Sequence, residues 1–177
     1  WRTSMNHKAM INAVFQEIRN CCQHLLQAYD RMNTSQITNT QKSSFVSSID
    51  SDIQHLLIEG LMRLYPKHKF VAEEPDSDAE QAMFEYDNLW VIDPIDGSTN
   101  FSSHIPFFSI SICYYYQGQP KVALVYDPIH DELFTAIQGM GAQLNQHRIR
   151  ANVSHSLTES ICGIELRSLQ EPLDQIQ

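Results

Sequence analysis

Long apolar runs are missing from this sequence: no stretch approaches the roughly 18 to 20 apolar residues of a membrane-spanning helix, which excludes that class. No secretory signal is visible either, although a chain that opens on Trp1 is compatible with a trimmed start. Cysteine is sparse: the four, at positions 21, 22, 113 and 162, form no C-x-x-C pair, and adjacent Cys21-Cys22 fit a helix. That argues against a disulfide framework or a zinc site and for reduced, structural thiols in a cytosolic protein. The eight histidines have no metal-ligand spacing. Basic charge is short as well, with 12 Lys and Arg against 21 Asp and Glu and a net charge of −9. This disfavours a broad nucleic-acid surface and makes a bound phosphate ester unfavourable unless something local inverts the field. A divalent cation is the obvious candidate. Asp50-Ser51-Asp52, however, lacks the spaced ligands and glycine of a calcium loop.

What is present is the composition of a soluble globular protein, 42% hydrophobic and 19% charged, with 177 residues for one domain or one and a fraction. Met10, Val14, Ile18, Cys21, Leu25, Ala28 and Met32 recur at steps of three and four, which predicts a helix over residues 5–32. Residues 33–44, rich in Asn, Thr, Ser and Gln, read as a polar loop. Ile49, Ile53, Leu56, Leu57, Leu61 and Leu64 mark a second helix that ends before Pro66. Strands follow at Lys69–Ala72, around Trp90, at 108–116, 121–126 and 132–137, and at Ala142–Leu144, separated by turn residues. The expected fold class is α+β, with two N-terminal helices packed on an antiparallel sheet. Residues 1–150 would form this domain. Ser160–Ile164 reads as a lone further strand, so 151–177 are expected to be only the beginning of a second, α/β domain.

The chain is organised around Trp90-Val91-Ile92-Asp93-Pro94-Ile95-Asp96-Gly97-Ser98-Thr99-Asn100-Phe101. Trp90 to Ile92 read as a buried strand, and Pro94 removes a backbone donor and discourages further pairing. Gly97 permits a tight turn, and Ser98-Thr99-Asn100 offer N-cap chemistry for a short helix whose free N–H groups favour an anion.

Glu73, Asp93 and Asp96 each lie at or just past a strand end. Two carboxylates about 4 Å apart repel by about 4 kcal/mol at an effective dielectric near 20, so such a cluster calls for a cation or a shared proton. Oxygen-only ligands with room for water and phosphate suit Mg²⁺ better than Ca²⁺. The Ile95 carbonyl could join them. Glu74 reads as a solvated or supporting acid, and Asp76, Asp78 and Glu80 as a solvated loop.

These residues make the sequence recognisable. It resembles the inositol monophosphatase family of lithium-sensitive, Mg²⁺-dependent phosphatases, whose signature W-x-(I/V)-D-P-(I/L)-D-G-T-x-N-F is nearly reproduced by Trp90 to Phe101. Ala72-Glu73-Glu74 matches the family's G-E-E landmark, and Asp50, at the expected start of the second helix, looks like its helix-start acid. The resemblance implies two or three Mg²⁺ ions. Glu73, Asp93 and the Ile95 carbonyl would bind one, and Asp93 and Asp96 would share a second. Backbone N–H groups around Gly97, Ser98 and Thr99 would hold phosphate. Ser98 stands where the family usually has threonine, and with Glu73 and Asp50 it would orient and deprotonate the attacking water. Serine keeps the hydroxyl and loses the methyl that restricts its rotamers.

The implied activity is hydrolysis of inositol monophosphate or a similar small sugar phosphate by a cytoplasmic homodimer. The alternatives are a nucleotide 3′-phosphatase or fructose-1,6-bisphosphatase of the same superfamily, or a regulatory protein. Nucleotidases tend to carry lysine and glutamate after D-P-(I/L)-D-G-T, whereas Thr99-Asn100-Phe101 favours the inositol branch. Bacterial relatives include a protein that associates with the transcription machinery, which adds RNA polymerase as a partner. The family's C-terminal W-D-x-A-(A/G) motif does not occur, the sole other tryptophan being Trp1. The 177 residues alone are therefore expected to be inactive.

Overall fold

The computed structural model describes residues 6–34, 39–72, 85–151, 156 and 158. The strand expected at 160–164, and nearly all of the second domain expected over 151–177, fall outside these residues, as do Glu73, Glu74, Asp76, Asp78 and Glu80. Two long helices, α1 (His7–Thr34) and α2 (Asn39–Leu64), precede β1 (Lys69–Ala72), β2 (Asn88–Asp96), a one-turn helix α3 (Ser98–Ser102), β3 (Ser109–Tyr116), β4 (Gln119–Asp127), β5 (Glu132–Ile137), β6 (Gly141–Leu144) and β7 (His147–Ile149). Among the described residues no helix is long and apolar enough to cross a membrane.

The seven strands form one sheet in chain order. All neighbours are antiparallel except β1 and β2, which run parallel from Lys69↔Leu89 to Ala72↔Ile92. The sheet is therefore mixed, not antiparallel as expected. Parallel neighbours need a crossover of a dozen or more residues, and the connection over 73–87 is long enough to supply one. β7 was not anticipated. Its hairpin turns on Asn145 (φ 45°) and Gln146 (φ 71°), which adopt left-handed backbone without glycine. Asn145 holds this turn by accepting the Leu133 N–H at 2.8 Å and donating to the Asp131 carbonyl at 3.1 Å.

Every residue of the stripe predicted for α1 is buried. On α2 the buried face is Val46, Ile49, Ile53, Leu57 and Leu61, while Leu56 and Leu64 are exposed at 43% and 41%, contrary to expectation. The polar stretch 33–44 is also shorter as a connection than its composition implies. α1 continues to Thr34 and α2 begins at Asn39, since packing of Val46 and Ile49 extends the helix beyond what intrinsic propensity favours. Both helices pack on one face of the sheet, α2 against β2 and α1 against β4. That face contributes Trp90, Ile92, Ile110, Ile112, Tyr114, Val122, Leu124 and Tyr126 to the common core. Cys21 and Cys22 are buried free thiols, as read from the sequence. The Cys21 thiol donates to the Ile18 carbonyl, and its neighbour Cys22 together with burial pushes its pKa far up.

Trp90 is fully buried, and its indole N–H donates to His68 Nδ1 at 2.9 Å. The imidazole stacks between Tyr65 (5.0 Å, 18°) and Tyr114 (5.4 Å, 14°). Because Nδ1 accepts, the ring carries its proton on Nε2. Burial holds the His68 pKa below its usual value and raises Tyr114 to about 12. The unfolded chain therefore binds the His68 proton first as pH falls. The contribution of this group to stability is present above about pH 6.5 and is lost on acidification toward the lower folded pKa. Denaturant unfolding of wild type and His68→Asn, which keeps an acceptor near Nδ1, should show a loss of stability as pH falls below about 6.5 that is steeper in wild type.

Candidate metal and phosphate site

The site is built where β2 ends, and its geometry comes from one irregularity. Asp93 pairs with Ser111 and Asp96 with Ser109, so two residues of β2, Pro94 and Ile95, oppose Ile110 alone. This is a β-bulge. In a regular strand, residues three apart point to opposite faces. The extra residue restores Asp96 to the face that carries Asp93, because residues directly opposite across a ladder share a face. Burial agrees: Pro94, Ile95 and Ile110 are buried toward the helices, whereas Asp93, Ser109 and Ser111 are half-buried and Asp96 is exposed. Pro94 fits because a bulge needs no ladder donor there. The freed Ile95 N–H donates to Asp93 Oδ1 at 3.1 Å.

Beyond Asp96 the chain turns through Gly97, whose φ of 89° and ψ of 36° lie in the left-handed region. A Cβ at Gly97 would also stand 3.1 Å from the Phe107 carbonyl oxygen. The cap of α3 is thus Gly97 itself and makes no side-chain bond. The hydroxyls of Ser98 and Thr99 do not serve as caps, contrary to expectation, and both residues are exposed. The first N–H groups of a helix have no intrahelical acceptor, so Ser98 and Thr99 present theirs beside the Asp96 end. The underside of α3 is fixed by aromatics. Phe101 is fully buried, Tyr29 packs on it at 5.5 Å and stacks on His104 at 4.1 Å and 15°, and Phe108 meets Phe101 edge-on at 5.0 Å. Asn100 Nδ2 donates to the Phe107 carbonyl at 2.8 Å and clamps the following loop.

Of the expected site residues, Asp93 and Asp96 lie on one sheet face and lead through Gly97 to the exposed Ser98 and Thr99, while the Ile95 side chain is buried toward the helices. Asp50 is half-buried in the interior of α2, not at its start, on a helix that packs against both β2 and α3. Glu73 lies outside the described residues. Among the described residues no three His, Cys, Asp or Glu side chains form a metal-binding group. Two carboxylates on one face, next to a backbone carbonyl and hydroxyls, are nonetheless an oxygen-only donor set of the kind a hard cation takes. Sequence reasoning missed Tyr29, Asn100 and His104 as supports of the site. Tyr29 lies next to Ala28 of the α1 stripe but outside it, Asn100 is marked only for N-cap chemistry and as part of the motif, and nothing local marks His104.

The chain is similar to known proteins over most of its length. The inositol monophosphatase family pattern matches residues 6–175. Nus factor SuhB of Escherichia coli (strain K12) is 34% identical over 152 residues, which are 86% of this chain and 56% of that protein. Among solved structures, inositol monophosphatase II from Staphylococcus aureus MSSA476 superposes with a TM-score of 0.76 at 26% identity, covering 93% of this chain and 58% of that one. An IMPase/NADP phosphatase complexed with NADP and Ca²⁺ gives a TM-score of 0.67 at 28% identity over 83% and 52% of the two chains. The chain spans about half the length of these relatives. It belongs to the inositol monophosphatase family.

Proposed function

We propose that the protein containing this chain is a Mg²⁺-dependent phosphomonoesterase acting on inositol monophosphate or a similar small sugar phosphate. The observation that carries this reading is the bulge that sets Asp93 and Asp96 on one sheet face beside the exposed start of α3. In the proposed site Glu73, Asp93, the Ile95 carbonyl and Asp96 hold two or three Mg²⁺ ions. Glu73 follows Ala72 in the chain, and Ala72 pairs in parallel with Ile92, the residue before Asp93. When bound, the metal lowers the pKa of the attacking water and offsets charge on the leaving oxygen in an in-line displacement. Gly97, Ser98 and Thr99 orient the phosphate through their N–H groups, while the Ser98 hydroxyl, Glu73 and Asp50 orient and deprotonate the water. Support for a divalent cation and a phosphorylated ligand comes from the similar IMPase/NADP phosphatase, which is complexed with NADP and Ca²⁺. The proposal includes Li⁺ sensitivity, a cytoplasmic homodimer, and residues 151–177 as the opening of a C-terminal α/β domain that completes the site.

The test is phosphate release by the full-length protein from inositol 1-phosphate, fructose 1,6-bisphosphate and 3′-phosphoadenosine 5′-phosphate, with Mg²⁺ and with added Li⁺. Preference for the first, lost with Li⁺, is the expected result. Turnover of the bisphosphate or the nucleotide alone would replace it with the sister activity. Ser98→Ala should lower kcat roughly 10²-fold to 10⁴-fold if the hydroxyl helps to activate water, and a neutral effect would leave that role to Glu73. A second reading, binding to RNA polymerase with or without catalysis, is favoured by the similarity to a Nus factor. Co-purification with the polymerase that survives loss of catalysis would establish it.

A further inference from the structure

On the face of the sheet opposite Asp93 and Asp96, a cavity of about 560 Å³ opens between α1 and the β5–β6 end of the sheet. Its apolar floor is Ile11 and Phe15 of α1 with Leu133 and Ile137 of β5, all packed on the core. Thr135 also lines it. That residue is only 9% exposed, and its hydroxyl makes no hydrogen bond among the described residues. The rim is basic. Lys8 and Arg19 stand on the α1 side. Arg148 pairs with the cavity-lining Gln143 and lays its guanidinium over Gly141, whose missing side chain leaves Nη2 3.5 Å from the vacant Cβ position. None of the three cations is in an ion pair among the described residues. The single acid of the lining, Asp131, already accepts the Tyr126 hydroxyl at 2.7 Å. In a chain where acids outnumber bases 21 to 12, this is a local inversion of charge.

We propose that this cavity is a second binding site, for a small phosphorylated molecule with an apolar body. Its volume lies within the roughly 300 to 1,000 Å³ of small-molecule pockets. Guanidinium groups suit phosphate because their planar fork matches two of its oxygens. Arg19 and Arg148 therefore take the phosphate with Lys8 as an added point charge, the body rests on Phe15, Leu133 and Ile137, and the Thr135 hydroxyl orients it. The site uses none of the residues assigned to hydrolysis, so it stands or falls separately from that activity.

The probe is phenylphosphonate, whose C–P bond a phosphomonoesterase does not cleave, titrated into the full-length protein without divalent metal and followed by amide chemical shifts. Saturable binding is expected, with perturbed amides on α1, β5 and β6. It should be about tenfold tighter than for inorganic phosphate or benzyl alcohol, each of which offers half of the recognition. Arg19→Gln and Arg148→Gln, both exposed positions that leave the fold intact, should each weaken it about tenfold, and Thr135→Val about threefold. The proposal is overturned by absence of saturable binding below roughly 10 mM, by equal affinity for inorganic phosphate, by unchanged affinity in both arginine variants, or by shifts confined to Gly97–Phe101.

Discussion

Asp93→Asn in the full-length protein is expected to abolish Mg²⁺-dependent phosphate release while leaving the unfolding midpoint nearly unchanged. The substitution separates charge from geometry. Asp93 Oδ1 accepts the Ile95 N–H at 3.1 Å, and the amide oxygen of asparagine can accept the same bond, so the bulge is kept. What is lost is the negative charge that two proposed metal ions share. Removing groups that merely orient a ligand typically costs about 10-fold to 100-fold, so loss of the ligand itself should exceed roughly 100-fold in kcat/KM. The check is phosphate release across a Mg²⁺ titration, paired with thermal unfolding of the same preparation. Activity near wild type would sink the metal assignment. Low activity with a collapsed midpoint would instead make Asp93 a structural residue.

Trp90→Ala is expected to give the largest loss of stability, about 3 to 5 kcal/mol. The indole is fully buried and lies 4.9 Å from Tyr114 and 5.3 Å from Tyr65. Its removal opens a cavity under the strand that carries the candidate site, and takes the donor from His68 Nδ1. For a domain of this size the shift in Tm should be roughly 10 °C. Trp90→Phe separates the two contributions. It keeps most of the ring contact and removes the N–H, so a loss of about 1 to 2 kcal/mol is expected. Denaturant melts monitored by circular dichroism measure both. An alanine variant within about 1 kcal/mol of wild type would mean that the Tyr65–His68–Tyr114 stack holds without its indole.

Much of the architecture was legible because the governing signals are local. The α1 stripe from Met10 to Met32 is a 3.6-residue pattern, and Gln117-Gly118 announces a hairpin at any distance from its context. Where reading failed, the deciding contact was remote. Nothing near Lys69–Ala72 states that it lies parallel to β2, and the clue was only the length of the connection over 73–87. Asp50 was placed at a helix start because the polar residues before it obscure how far packing of Val46 extends α2. The acids were identified from their strand ends and from family resemblance, whereas the means of bringing Asp93 and Asp96 to one face was not. Pro94 hinted at it, since proline inside a paired strand signals a bulge. The basic cavity was invisible in one dimension, because Lys8, Arg19, Thr135 and Arg148 come from three separate elements and share no motif.

The bulge makes the site depend on a count of residues as well as on their identity. Side-chain exchanges between Asp93 and Asp96 alter packing by degrees, as Ile95→Val would. Deleting one residue from that interval is different in kind, because it removes the bulge and leaves Asp96 two residues after Asp93, on the same face of a regular strand. A strand that became regular without losing a residue would instead direct Asp96 toward the helices, where a carboxylate meets apolar neighbours in place of solvent. In-frame loss of Pro94 keeps both acids on one face and should therefore cost less activity than loss of either acid, measured as phosphate release by the full-length protein. The spacing D-x-x-D thus places two acids on one face only where the strand carries the bulge.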